Sequence, residues 1–185
     1  TITRASARST YPAQFMLVAA MNPCPCGNYG SRITPCRCTA QQIQRYRNRI
    51  SGPMLDRIDI HVEMGEVGYN DIAGRSCGEP SSAIRARVNA ARAIQTRRYA
   101  GMGILFNAQL TNRMMNQYCV LTSDAESLMK KAFAALKLSA RAYTRLLKVS
   151  RTIADLAGSE QIKAEHIAEA IQYRSLESKY WGEIK

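Results

Sequence analysis

Long apolar stretches are missing from this 185-residue sequence, and nothing in it approaches the roughly 20 residues that span a bilayer. The N-terminus also lacks the charged-then-apolar pattern of an export signal. Both absences predict a soluble, cytoplasmic protein with no membrane partner. Acidic residues are scarce, 14 against 26 lysines and arginines, for a net charge of +12. That balance predicts a polyanionic partner, nucleic acid or an acidic subunit surface, because the field attracts phosphates across a Debye length of about 8–10 Å. The plainer alternative is a solubilising surface. Histidine is limited to His61 and His166, neither with a ligand-spaced partner, so both are assigned to structure. No internal repeat or low-complexity segment occurs. With 46% hydrophobic residues the chain can bury a real core, which excludes a disordered chain.

Cysteine is also sparse outside one place. Four of the six thiols, Cys24, Cys26, Cys36 and Cys38, form two C-x-C pairs on a loop stiffened by Pro23, Pro25 and Pro35, while Cys77 and Cys119 stand alone and are read as reduced thiols. This is unlike the even spread of a secreted disulfide framework. Four thiolates on a tight loop satisfy the count and softness of a structural tetrahedral Zn2+ site. The spacing is tighter than the usual C-x2-C, and a metal-free thiol-rich loop is the alternative. No His or carboxylate lies in the loop, so the site is a brace and not a reaction centre.

Along the chain, residues 1–66 read as α/β. TITRA and the stretch TYPAQFMLVAAM, joined by the polar turn SARS, predict a hairpin feeding a core strand buried on both faces. TAQQIQRYRNRI predicts a basic helix with Thr39 as N-cap, and PMLDRIDIHVEM a helical turn followed by a strand. Gly, Asn, Asp and Ser over 67–80 predict a linker. Residues 81–185 read as all helical. SSAIRARVNAARAIQTRRYAG ends at Gly101, and a short helix lies around NAQLTNRMMNQYC. SDAESLMKKAFAAL opens on a Ser123-x-x-Glu126 capping box. The next helix sets Tyr143, Leu146, Leu147, Ile153 and Leu156 against Arg141, Arg145 and Lys148 on the opposite face. KAEHIAEAIQYR predicts a last short helix.

Three segments together, VAAMNPCPCG, ISGPMLDRIDIHVEM and LSARAYTRLLKVSRTIADLAG, resemble the magnesium-chelatase-like AAA+ ATPases, in particular their competence-associated YifB/ComM branch, over nearly the whole chain. The resemblance implies a partial AAA+ core with hairpin and cysteine loop, then a helical lid. It implies that Asn22, at the end of the apolar run, is the polar residue that orients water at the γ-phosphate of ATP; an Asn amide both donates and accepts. The plainer alternative is an Asn that turns the chain before Pro23. Arg57 matches the finger that such rings present to ATP on the neighbouring subunit, where a planar permanent cation neutralises transferring oxygens. Its alternative is an ion pair with Asp56 or Asp59. Arg141 matches the lid arginine that reaches the nucleotide in its own subunit, with Arg145, one turn on, as the competing assignment. The opening hairpin would carry Arg4 and Arg8 toward DNA phosphates, or else only protect a strand edge. Arg45, Arg47 and Arg49 face either nucleic acid or a subunit.

No G-x-x-x-x-G-K-[ST] phosphate loop and no acidic strand end for Mg2+ occurs. The absence, with a start lacking Met, predicts a portion of a longer protein that does not hydrolyse ATP alone. The function implied is the C-terminal portion of a homo-oligomeric, hexameric ATPase that uses ATP and Mg2+ to move on DNA in branch migration or natural transformation. The alternatives are a chelatase-type or chaperone-type ring that remodels a protein, and a zinc-braced nucleic-acid-binding module.

Overall fold

The computed structural model describes residues 1–13, 15–68, 73 and 78–174, so the predicted linker at 67–80 and Cys77 fall largely or wholly outside the described residues. The described chain is mostly helical, with one two-stranded sheet and seven helices. Strands β1 (Ile2–Arg4) and β2 (Ala7–Ser9) pair antiparallel with Ile2 opposite Ser9, Thr3 opposite Arg8 and Arg4 opposite Ala7. Ala5 and Ser6 alone therefore make the turn, a tighter connection than the SARS turn expected, and ARS itself is the second strand.

Helix α1 (Ala40–Arg47) begins where expected: the Thr39 side chain accepts from the Gln42 amide, and the Gln42 side chain accepts from the Thr39 amide at 2.9 Å. One helical turn, α2 (Gly52–Leu55), follows with Pro53 in its first turn, where a missing N–H costs nothing. Neither predicted core strand is present. Residues 15–21 form no ladder with any described residue, with Phe15, Met16 and Val18 largely exposed, and no strand forms over residues 58–64, where the His61 amide donates to the Tyr173 carbonyl at 2.8 Å. The physical reason is the same for both. A strand buried on two faces exists only beside strands that take its N–H and C=O groups, and no described segment offers that edge. Among the described residues the α/β expectation therefore reduces to the hairpin.

Helices α3 (Ser81–Arg98), α4 (Asn112–Tyr118), α5 (Ser123–Ala135), α6 (Ala140–Leu156) and α7 (Ala164–Gln172) build one core around Tyr99, Leu110, Met115, Met129, Leu146, Ile162 and Ile167. A 3-10 turn, Asn107–Gln109, joins α3 to α4. Helix α6 is central, packing on α7, α3, α4 and the 3-10 turn. Its start is capped by Ser139, and α4 and α5 start at Thr111 and Thr122. The α5 cap is thus one residue earlier than the Ser123 expected, and Glu126 instead pairs with Lys130 at 2.9 Å. Leu156, placed by periodicity on the core face of α6, is exposed; its place inside is taken by Arg151 and Asp155. Asp155 accepts from Arg98, Arg151, Gln95 and Asn107, so two guanidiniums and two amides compensate one buried carboxylate. Burial alone would raise that carboxyl, but its hydrogen bonds and cationic neighbours hold it below the usual range.

Candidate functional site

Gly27 takes a positive φ of +83° immediately after Cys26, and its amide donates to the Cys24 carbonyl at 3.0 Å. This turn folds the loop back so that Cys24, Cys26, Cys36 and Cys38 place their sulfurs all within 4.8 Å of one another. The Cys24–Cys26, Cys26–Cys36 and Cys24–Cys36 Sγ separations are 3.3, 3.6 and 3.7 Å. A disulfide would need about 2.05 Å, whereas zinc at about 2.3 Å from each of four sulfurs sets them about 3.8 Å apart. The donor set fits a closed tetrahedral metal, with all four positions taken by thiols and none left for a substrate.

The electrostatics point the same way. The backbone amides of Asn28 and Arg37, with a smaller share from Cys24, bring the Cys26 thiol down to about 6. Burial and the neighbouring sulfurs push Cys38 up to about 12. Cys36 is pulled down by the Cys38 amide, yet burial and the sulfurs of Cys26 and Cys24 raise it on balance. One thiolate is thus stabilised by N–H donors, and its neighbours resist becoming anions beside it. A divalent cation removes that repulsion.

Two further residues tie this loop to its surroundings. Arg47, expected on a basic surface with Arg45 and Arg49, turns inward: it is 3% exposed, its Nε donates to the Pro23 carbonyl at 3.4 Å, and its guanidinium lies 4.6 Å from the centre of the Tyr29 ring. Arg45 on α1 and Arg49 just beyond it remain exposed. Asn22 is exposed at the loop's entry, and its side-chain amide lies 3.8 Å from where a Cβ on Gly27 would stand. The side chain is therefore shelved against the cysteine loop.

Arg57 is exposed and donates to the Pro53 carbonyl at 2.6 Å. The carboxylates weighed as its partners are committed elsewhere. Asp59 pairs with Arg145, and Asp56 accepts from Ser139 at 3.1 Å and pairs with Arg174 at 3.4 Å. Arg174 also donates to the Ile58 carbonyl at 3.2 Å. Arg141, between Ser139 and Arg145 on α6, is exposed. Nothing local in the sequence anticipates that Asp56 and Asp59 meet Ser139, Arg145 and Arg174, because these lie more than eighty positions away. On the hairpin, Arg8 lies across from Thr3 and Arg4 across from Ala7, so the two arginines project from opposite faces of the ribbon. His166 is buried with Nδ1 accepting from the Lys163 amide at 3.0 Å, a structural role.

A capped helical bundle whose central helix is tied to a short arginine-bearing segment has the character of the C-terminal helical domain of an AAA+ ATPase, and that superfamily is the class defined here. Residues 78–174 match the family described as magnesium chelatase, subunit ChlI C-terminal, and residues 1–72 match magnesium chelatase, subunit ChlI. The chain belongs to the magnesium chelatase subunit ChlI family, in its YifB/ComM branch. It is 44% identical to the competence protein ComM of Haemophilus influenzae over 95% of this chain and 33% of that protein. It is 42% identical to the uncharacterized protein YifB of Salmonella typhimurium, and 41% to that of Escherichia coli, each over 95% of this chain and 34% of the relative. The chain thus spans about a third of the length of these relatives. Among the described residues no helix is long and apolar enough to cross a membrane.

Proposed function

We propose that this chain is the C-terminal portion of a hexameric AAA+ ATPase that moves on DNA, in branch migration during recombination or natural transformation, with residues 1–66 completing the ATPase core and residues 81–185 forming its lid. The observation that carries the reading is the state of two arginines in a chain of this family. Arg57 and Arg141 are both exposed, and the nearby carboxylates are occupied by Arg145 and Arg174. A cation meant for a phosphate on another molecule must not be neutralised at home.

In this reading Arg57 neutralises the transferring phosphoryl group on the neighbouring subunit, and Arg141 holds the phosphates in its own. The Asn22 amide orients the attacking water, its position set by the shelf at Gly27. Mg2+ finds no carboxylate pair among these residues, and the phosphate loop lies outside this chain. Cys24, Cys26, Cys36 and Cys38 would hold a structural zinc, which would supply charge neutralisation and cross-linking of the loop that carries Asn22. Support for DNA comes from the +12 charge and from Arg4 and Arg8, which on opposite faces suit a ribbon surrounded by phosphates better than one laid on a flat surface.

The test is the ATPase rate of the full-length protein with and without single-stranded and forked DNA, over a range of salt, beside Arg57→Ala. The expected result is DNA stimulation that declines steeply with salt, as phosphate contacts release counterions, and a rate in the variant lower by about 10^3-fold, the scale of an arginine finger. A rate indifferent to DNA overturns the motor and leaves a ring that remodels a protein partner.

A further inference from the structure

The segment that bears Arg57 is fastened to the lid. Five bonds leave residues 56–61 for α6 and the end of α7: Asp59 to Arg145, Asp56 to Ser139 and to Arg174, the Ile58 carbonyl to Arg174, and the His61 amide to the Tyr173 carbonyl. The Arg174 side chain is 2% exposed, so this fastening has a dry centre. Arg57 sits inside the fastened stretch, exposed and donating to the Pro53 carbonyl of α2, and Arg141 sits inside the fastening half of α6.

Resting on the trans role of Arg57 above, we propose that Asp56 and Asp59 are positioning residues that seat the finger on its own subunit's lid, so that each lid movement carries Arg57 toward or away from the nucleotide of the next subunit. The physical basis is rigidity. Arg57 lies in the turn that leaves α2 and Asp59 in a bend, and two carboxylates anchored on neighbouring helices tie that stretch to them. Removing the Asp59 charge loosens the finger without touching the subunit's own nucleotide site.

The experiment is subunit mixing in the full-length protein. Asp59→Asn subunits keep a competent site but present a displaced finger. Asn22→Ala subunits cannot orient water but bind ATP and present a seated finger. Each alone is expected to hydrolyse at least tenfold slower than wild type. Mixed one to one, they should recover about a quarter of the wild-type rate, the share of head-to-tail interfaces that random mixing completes. Arg57→Ala mixed with Asn22→Ala is the control and should recover likewise. Recovery in the control but not with Asp59→Asn means that Asp59 acts within its own subunit, and the inference falls while the finger reading stands. Failure of the control overturns the finger reading and the inference with it. The reversed pair, Asp59→Arg with Arg145→Asp, should restore the rate of unmixed rings, and a reversed pair as slow as Asp59→Asn also overturns the inference.

Discussion

From Ser81 onward the helices bury Tyr99, Leu146, Ile162, Ile167 and their neighbours in one continuous core, whereas the described residues of 1–68 bury only Cys24, Ile43, Arg47 and Leu55 and leave Phe15, Met16, Val18 and Met64 in solvent. One region is held by apolar area shared among helices that supply each other's partners. The other is held at points: a thiol cluster, an inward arginine and ion pairs to the helical region. The contrast shows that an apolar sequence does not make a core by itself. FMLVAAM is as hydrophobic as any helix here, yet among the described residues it is exposed, because none of them forms a strand beside it.

The sharpest way to break the helical region is through its buried charge. Asp155→Ala leaves Arg98 and Arg151 facing each other without a counter-charge, and removing one member of a buried set costs about 3–5 kcal/mol. Chemical denaturation followed by helical circular dichroism should show that loss, while metal content in the thiol loop stays the same. The acid limb follows with its sign. The Asp155 carboxyl is depressed in the fold, so its contribution is present above the unfolded value of about 3.9 and is lost as pH falls through the lower folded value. A variant as stable as the parent would show that the network contributes nothing.

The next largest effect belongs to the other region alone. Purified protein should carry one zinc per chain, and Cys24→Ser with Cys36→Ser should carry none. Amide exchange should accelerate across residues 22–38, and helix unfolding should shift by no more than about 0.5 kcal/mol, the usual scale for changes outside a core. Zinc retained in the double variant, or none in the parent, would remove the brace and leave Arg47 and Tyr29 as the loop's main supports.

Much of this was legible locally and little of it at long range. The Thr39 cap, the helix it starts, and the four cysteines that meet all follow from residues within a few positions of each other. The strands at 15–21 and 58–64 were misjudged because hydrophobic runs announce burial but not the partner that provides it. Arg47 was read as a surface charge beside Arg45 and Arg49 because its sequence pattern is that of a basic helix face; it packs instead on Tyr29, and the buried Asp155 network closes through Arg98, 57 positions away. The exposure of Arg57 follows the same rule, since it depends on where Asp56 and Asp59 find other partners.

The smallest effect tests whether the helical core stands apart even in its response to mild acid. His166 is buried at the first turn of α7 and accepts the Lys163 amide through Nδ1. Burial lowers its tendency to protonate, with Glu165 offsetting part of that. The folded value thus lies below the unfolded one of about 6.5, so stability is complete above about pH 6.5 and declines as pH falls through the folded value. Protonation also converts Nδ1 from acceptor to donor and breaks the bond to Lys163. His166→Gln keeps an acceptor at the position where Gln42 serves α1, and it has no proton to gain. Between about pH 7 and 5 the variant should unfold at a constant denaturant midpoint while the parent drifts downward; identical drifts in both would assign the acid response to some other group.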